Sequence, residues 1–173
     1  LANVALDLLG QATMLLRRAG AVEGKGRDED ALAYWREAVE FRNCLLVEQP
    51  NGDFAFTIAR QFLFDVYAVV TLDALSRSKN VEVAAIAAKA LKEAKYHVRH
   101  SGEWMLKLGD GTDESHERMS RACQALWRFT GEMFQPLDGV GVDWDGMRAA
   151  WLESVGDTLR RATLTVPEGP QTG

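Results

Sequence analysis

Residues 54–78, FAFTIARQFLFDVYAVVTLDALSRS, decide the fold. On a helix, Phe54, Phe56, Ile58, Phe62, Leu63, Phe64, Val66, Tyr67, Val69, Val70 and Leu72 leave almost no polar side, so this helix has to lie at the centre of others. Asp53 can cap its first turn, and Gln49-Pro50-Asn51-Gly52 ahead of it has turn chemistry. Downstream, Val83, Ile86, Ala87, Ala90, Leu91, Ala94, Val98, Met105 and Leu108 make one stripe on a helix from about Val81 to Leu108, stopped by Gly109. Thr112 caps the next helix, which carries Met119, Ala122, Cys123, Leu126, Phe129, Thr130 and Met133 on one side. A Gly/Asp-rich loop, Pro136 to Asp143, leads to a last helix with Trp144, Met147, Trp151, Val155 and Leu159. Upstream, Leu1, Val4, Ala5, Leu8, Leu9, Ala12, Leu15, Leu16 and Ala19 define a first helix with Gly20 as its stop. The linker Glu23-Gly24-Lys25-Gly26-Arg27 follows, and Asp28 to Asp30 open a second helix that runs to about Val47. No segment alternates with period two, so no strand is predicted. The fold class is all-α, a bundle of long antiparallel helices formed by residues 1–173 as one domain.

Composition narrows the function classes. With 173 residues, 47% hydrophobic and 26% charged, the chain is too apolar for disorder and too regularly broken by charge for a membrane span. A net charge of -5 gives no drive toward nucleic acid, and no base-reading motif offsets it. Cys44 and Cys123 read as reduced buried thiols of a cytoplasmic protein. The first residues already read as helix interior with no initiator Met, so the chain is expected to begin mid-protein, and Pro167 to Gly173 reads as a loose tail.

A helical bundle can hold a carboxylate-bridged di-metal site, built from a Glu on two helices and Glu-x-x-His on the other two. Here the spacing fails. Leu8 and Gln11 occupy the positions on the first helix, and the residue three before His97 is Ala94, with Glu93 four before. Gln61 and Asp65 lie on one line of the central helix. Gln11, Gln61, Asp65, Glu93 and His97 are therefore read as a buried polar network, with a metal role for Asp65, Glu93 and His97 as the alternative. Cys44, Cys123, His100 and His116 stand in no nucleophile spacing, and Gly109-Asp110-Gly111 is too short to cradle a phosphate. Lys89, Lys92, Lys95 and Arg99 form a basic face, either solvated or turned to an acidic partner or coenzyme A. Trp127, Trp144 and Trp151 are candidates for core or for protein contact.

Beyond periodicity, several runs carry a resemblance: Leu1 to Ala12, Gly26 to Asp30, Leu45-Leu46-Val47-Glu48-Gln49-Pro50-Asn51-Gly52-Asp53-Phe54, Thr57 to Gln61, Ala88 to His97, Leu108 to Thr112, and Ala125 to Thr130. Over nearly the whole chain they resemble the structural subunits of bacterial phenylacetyl-CoA epoxidases. The resemblance implies a ferritin-like fold with a further helix upstream and a further segment downstream. It also implies a non-catalytic subunit, descended from the same ancestor as the di-iron catalytic subunit, that has lost its metal site and pairs with that subunit in aerobic phenylacetate breakdown. Iron would then sit on the partner, with no catalytic, cofactor or metal residue on this chain. A reductase and small accessory subunits complete the implied heteromer, a multicomponent monooxygenase. The competing reading is a di-metal carboxylate oxidoreductase with its own site. Ligand spacing separates the two and favours the structural subunit.

Overall fold

The computed structural model describes residues 1–137, 139–169 and 171. Asp138 of the predicted loop and Pro170, Thr172 and Gly173 of the predicted tail lie outside them. The described residues form seven α-helices and no strand: α1 (Ala2–Glu23), α2 (Glu29–Tyr34), α3 (Leu45–Glu48), α4 (Phe54–Leu75), α5 (Val81–Gly109), α6 (Asp113–Trp127) and α7 (Trp144–Arg161). Single 3-10 turns sit at Ala38–Glu40 and Gly131–Phe134. This is a ferritin-like all-α bundle.

The predicted caps are present where charge and geometry need them. Asp28, Asp53 and Thr112 each accept from a backbone N–H in the first turn of α2, α4 and α6, and Asp143, read from sequence only as the end of a loop, does the same for α7. Asn80 does the same for α5 through two N–H groups. α4 is the centre, packing along α5 and against α6 and α7. Its buried Ile58, Ala59, Phe62, Leu63 and Val66 join Met105, Met119, Leu126, Val155 and Leu159 in one core. The helix is long and apolar enough to cross a membrane by composition, yet its first half is enclosed by the neighbouring helices, so its apolarity is that of a core helix.

Four expectations change. The second helix does not reach Val47: α2 ends at Tyr34, and only α3 forms beyond it. Tyr34, Trp35 and Val39 are 75%, 82% and 86% exposed, so this stretch has no packed face to sustain a helix. Gly20 does not stop α1, which runs on to a left-handed Gly24 (φ 69°). Instead Gly20 is buried under the returning linker, where a Cβ would collide with the Arg27 carbonyl. α6 ends at Trp127, before Phe129 and Met133, and the chain tightens into the 3-10 turn. Among the described residues of the expected tail, two are tied down: Pro167 is buried and Gln171 is half-buried. Gln171 donates from Nε2 to Thr130 Oγ1 at 2.9 Å and accepts from Arg148 at 2.6 Å.

Candidate functional site

Of the five residues expected as a buried polar network, Asp65 and His97 are buried and Gln11, Gln61 and Glu93 half-buried. Together with two that the sequence reading overlooked they form separate hydrogen-bonded sets along α5, facing α4 on one side and α1 on the other. Gln61 donates from Nε2 to Asp65 Oδ1 at 2.6 Å, one turn along α4. Across the helix pair, Ser101 Oγ donates to Asp65 Oδ2 at 2.8 Å. Gln11 Nε2 on α1 donates to Glu93 Oε2 on α5 at 2.9 Å. His97 Nε2 meets Asp7 Oδ2, also on α1, at 2.9 Å. Asp65 and His97 make no direct hydrogen bond to each other. α5 turns the imidazole toward α1, and Ser101, one turn further along, meets the carboxylate instead.

Asp7 and Ser101 are the overlooked members. Asp7 stands four residues before Gln11, as Glu93 stands four before His97, and two antiparallel helices bring equal spacings into register. That match was the available signal. Asp65, His97 and Ser101 are buried, whereas Asp7 keeps one edge toward solvent. Burial raises the Asp65 carboxyl from its ordinary 3.8 to about 6, against the smaller lowering effects of Gln61, Ser101 and the His97 charge.

A di-metal centre asks several carboxylates and imidazoles to converge, and the arrangement does not fit one. Each carboxylate is bonded to its own partner, with Leu8 and Ala94 in the intervening inward positions. Among the described residues no three His, Cys, Asp or Glu side chains come together in a metal-holding group. The cysteines are free, and burial pushes the Cys123 thiol up to about 12 and raises that of Cys44 as well, which favours the thiol over the thiolate in both. His116 Nδ1 bonds the Gly109 carbonyl at 2.7 Å and ties α6 to the end of α5. Of the tryptophans considered for protein contact, Trp127 and Trp151 are core: their rings pack 5.6 Å apart, and Trp151 Nε1 donates to the Leu63 carbonyl at 2.9 Å. Trp144 is half-buried against that core.

The sequence of residues 1–173 matches the profile of the phenylacetic acid catabolic proteins along its whole length. The chain belongs to the phenylacetic acid catabolic protein family. One of the subunits of the 1,2-phenylacetyl-CoA epoxidase of Escherichia coli (strain K12) is 47% identical over 176 residues, an alignment covering 97% of this chain and 71% of that protein. The relationship expected from the Leu45 to Phe54 block is thus the one found. Two hollows lie away from the polar cluster of this family member. The larger, about 1080 Å³, opens between the end of α4, the start of α5 and the loop before α7, over Val70, Ala74 and Met147. A shallow one of about 330 Å³ lies between Phe56, Arg118 and Ala122. Neither includes Gln11, Gln61, Asp65, Glu93 or His97.

Proposed function

We propose that the chain is a non-catalytic structural subunit of a phenylacetyl-CoA epoxidase, binding and supporting a homologous di-iron catalytic subunit during aerobic phenylacetate degradation. The observation that carries the reading is the self-satisfied polar cluster. Asp65 is met by Gln61 and Ser101, Glu93 by Gln11, and His97 by Asp7, so metal loading would have to break three separate sets of hydrogen bonds. Buried polar groups are retained at low cost when each has its partner, and such a cluster fixes helix register without doing chemistry. Catalytic, cofactor and metal roles are then absent from this chain, and iron belongs to the partner. The heteromer, with reductase and accessory subunits, would work in the cytoplasm, where both thiols stay reduced.

The alternative, a di-metal oxidoreductase built on Asp65, Glu93 and His97, would need Gln11, Gln61 and Ser101 to release their carboxylates. Co-expression with the catalytic subunit tests the proposal. A stable complex is expected on gel filtration, with epoxidation that depends on the catalytic subunit's metal ligands and survives Glu93→Gln in this chain. A chain that stays monomeric beside that partner at micromolar concentration would refute the supporting role.

A further inference from the structure

The outward face of α5 has a charge pattern that the bundle does not use. Lys89, Lys92, Lys95 and Arg99 are all exposed, and none has an ion-pair partner among the described residues. At a rise of 1.5 Å per residue the row runs about 15 Å along one rigid helix. Like charges three or four apart repel, so the row weakens its own helix. Of the acids of the same helix, Glu82 pairs with Arg18 and Glu93 accepts from Gln11, while Glu103, four residues beyond Arg99, is exposed and makes no ion pair with it among the described residues. In a chain of net charge -5 this is a local reversal of sign. Exposed Tyr96 lies within the row, with the Arg99 guanidinium 5.3 Å from its ring centroid, which holds that cation in place.

Shape decides what such a row can bind. The row stands on an exposed helix face and outside both hollows described above, and a line of separated, exposed cations is suited to meeting another surface. Charge is excluded from the centres of obligate interfaces, while reversible contacts between proteins are steered by it. We infer that Lys89, Lys92, Lys95, Tyr96 and Arg99 form a docking surface for an acidic protein that associates reversibly with the assembled complex. The inference rests on the heteromeric reading above.

The test uses the complex of this chain with its catalytic subunit, either unaltered or carrying Lys92→Glu with Lys95→Glu. Each remaining subunit of the same epoxidase is presented to it separately, and association rates are measured at low and high salt. One subunit should bind with a rate that falls about tenfold or more as salt rises, and the double reversal should slow low-salt association by a similar factor. Lys92→Gln with Lys95→Gln should fall between, and this neutral pair replaces the reversal if the latter melts early. Rates indifferent to these charges overturn the inference while leaving the structural-subunit reading intact. So does a loss seen only in calorimetry with free coenzyme A, which would make the row a nucleotide site. Failure of the unaltered chain to assemble with the catalytic subunit sinks the structural-subunit reading and the inference with it.

Discussion

Asp65 sits in a buried pocket of neutral donors with no cation in hydrogen-bond contact, and its carboxyl is raised to about 6 for that reason. In the unfolded chain the same group titrates near 3.8. A folded value above the unfolded one means the stability associated with this group is fully present below pH 3.8 and is lost as pH rises through about 6. A difference of roughly two units corresponds to about 3 kcal/mol. Asp65→Asn keeps the shape and an acceptor while removing the charge, so it should flatten this pH dependence and equal or exceed the unaltered chain in urea melts at pH 8. Asp65→Ala removes the acceptor of the Gln61 amide and leaves the Ser101 hydroxyl only backbone carbonyls of its own helix, that of His97 among them, and at pH 5 it should cost about 1–3 kcal/mol. With a purely structural role, either variant should leave turnover per intact catalytic subunit unchanged. The inward residues were legible from helical periodicity alone. Their pairing was not, because periodicity fixes a face and leaves the helix rotation and register that chose Ser101 over His97 undetermined.

At the scale of elements, α1 is the loosest long helix, resting on α5 and α2 with Val4 and Gly20 as its only fully buried residues. Polar hooks hold it: Asp7 with His97, Gln11 with Glu93, and Arg18 with Glu82. Gln11→Ala leaves the Glu93 carboxylate short of a donor and should speed amide exchange in α1, by about 1–2 kcal/mol in opening energy, while α4 to α7 keep their protection. The other joint to test is where α5 ends against the chain leaving α7. A Cβ at Gly109 would collide with the Ala162 carbonyl and stand 2.9 Å from its Cβ, although the Gly109 backbone itself is not left-handed. Gly109→Ala should therefore lower the melting temperature clearly, by about 1–3 kcal/mol in stability, as overpacked sites do. Sequence reads this glycine as a stop and α5 does end there, but the physical demand is for space. Helices α5, α6 and α7 were legible because each buries one stripe and α4 because it is apolar almost all round, whereas α1 follows the same period although Leu1, Ala5, Leu9, Ala12, Leu15 and Ala19 of its expected stripe are exposed. The stretch after Tyr34 was not, since its apolar residues mimic a helix while nothing in the fold covers them.

For the whole molecule, Tyr34, Trp35 and Val39 after α2, and Leu6 and Leu9 on α1, are large apolar or aromatic side chains left exposed. Trp and Tyr at such exposure are typical anchors of protein contacts. Trp35→Ala with Val39→Ala should leave the helical content of the isolated chain intact and weaken its complex with the catalytic subunit on gel filtration. The central claim, a subunit that supports oxygen chemistry without conducting it, is tested most directly by metal analysis after anaerobic iron loading. Iron should be near zero on the chain purified alone and stoichiometric with the catalytic subunit in the complex. Stoichiometric iron on the isolated chain, lost in His97→Ala, would contradict it.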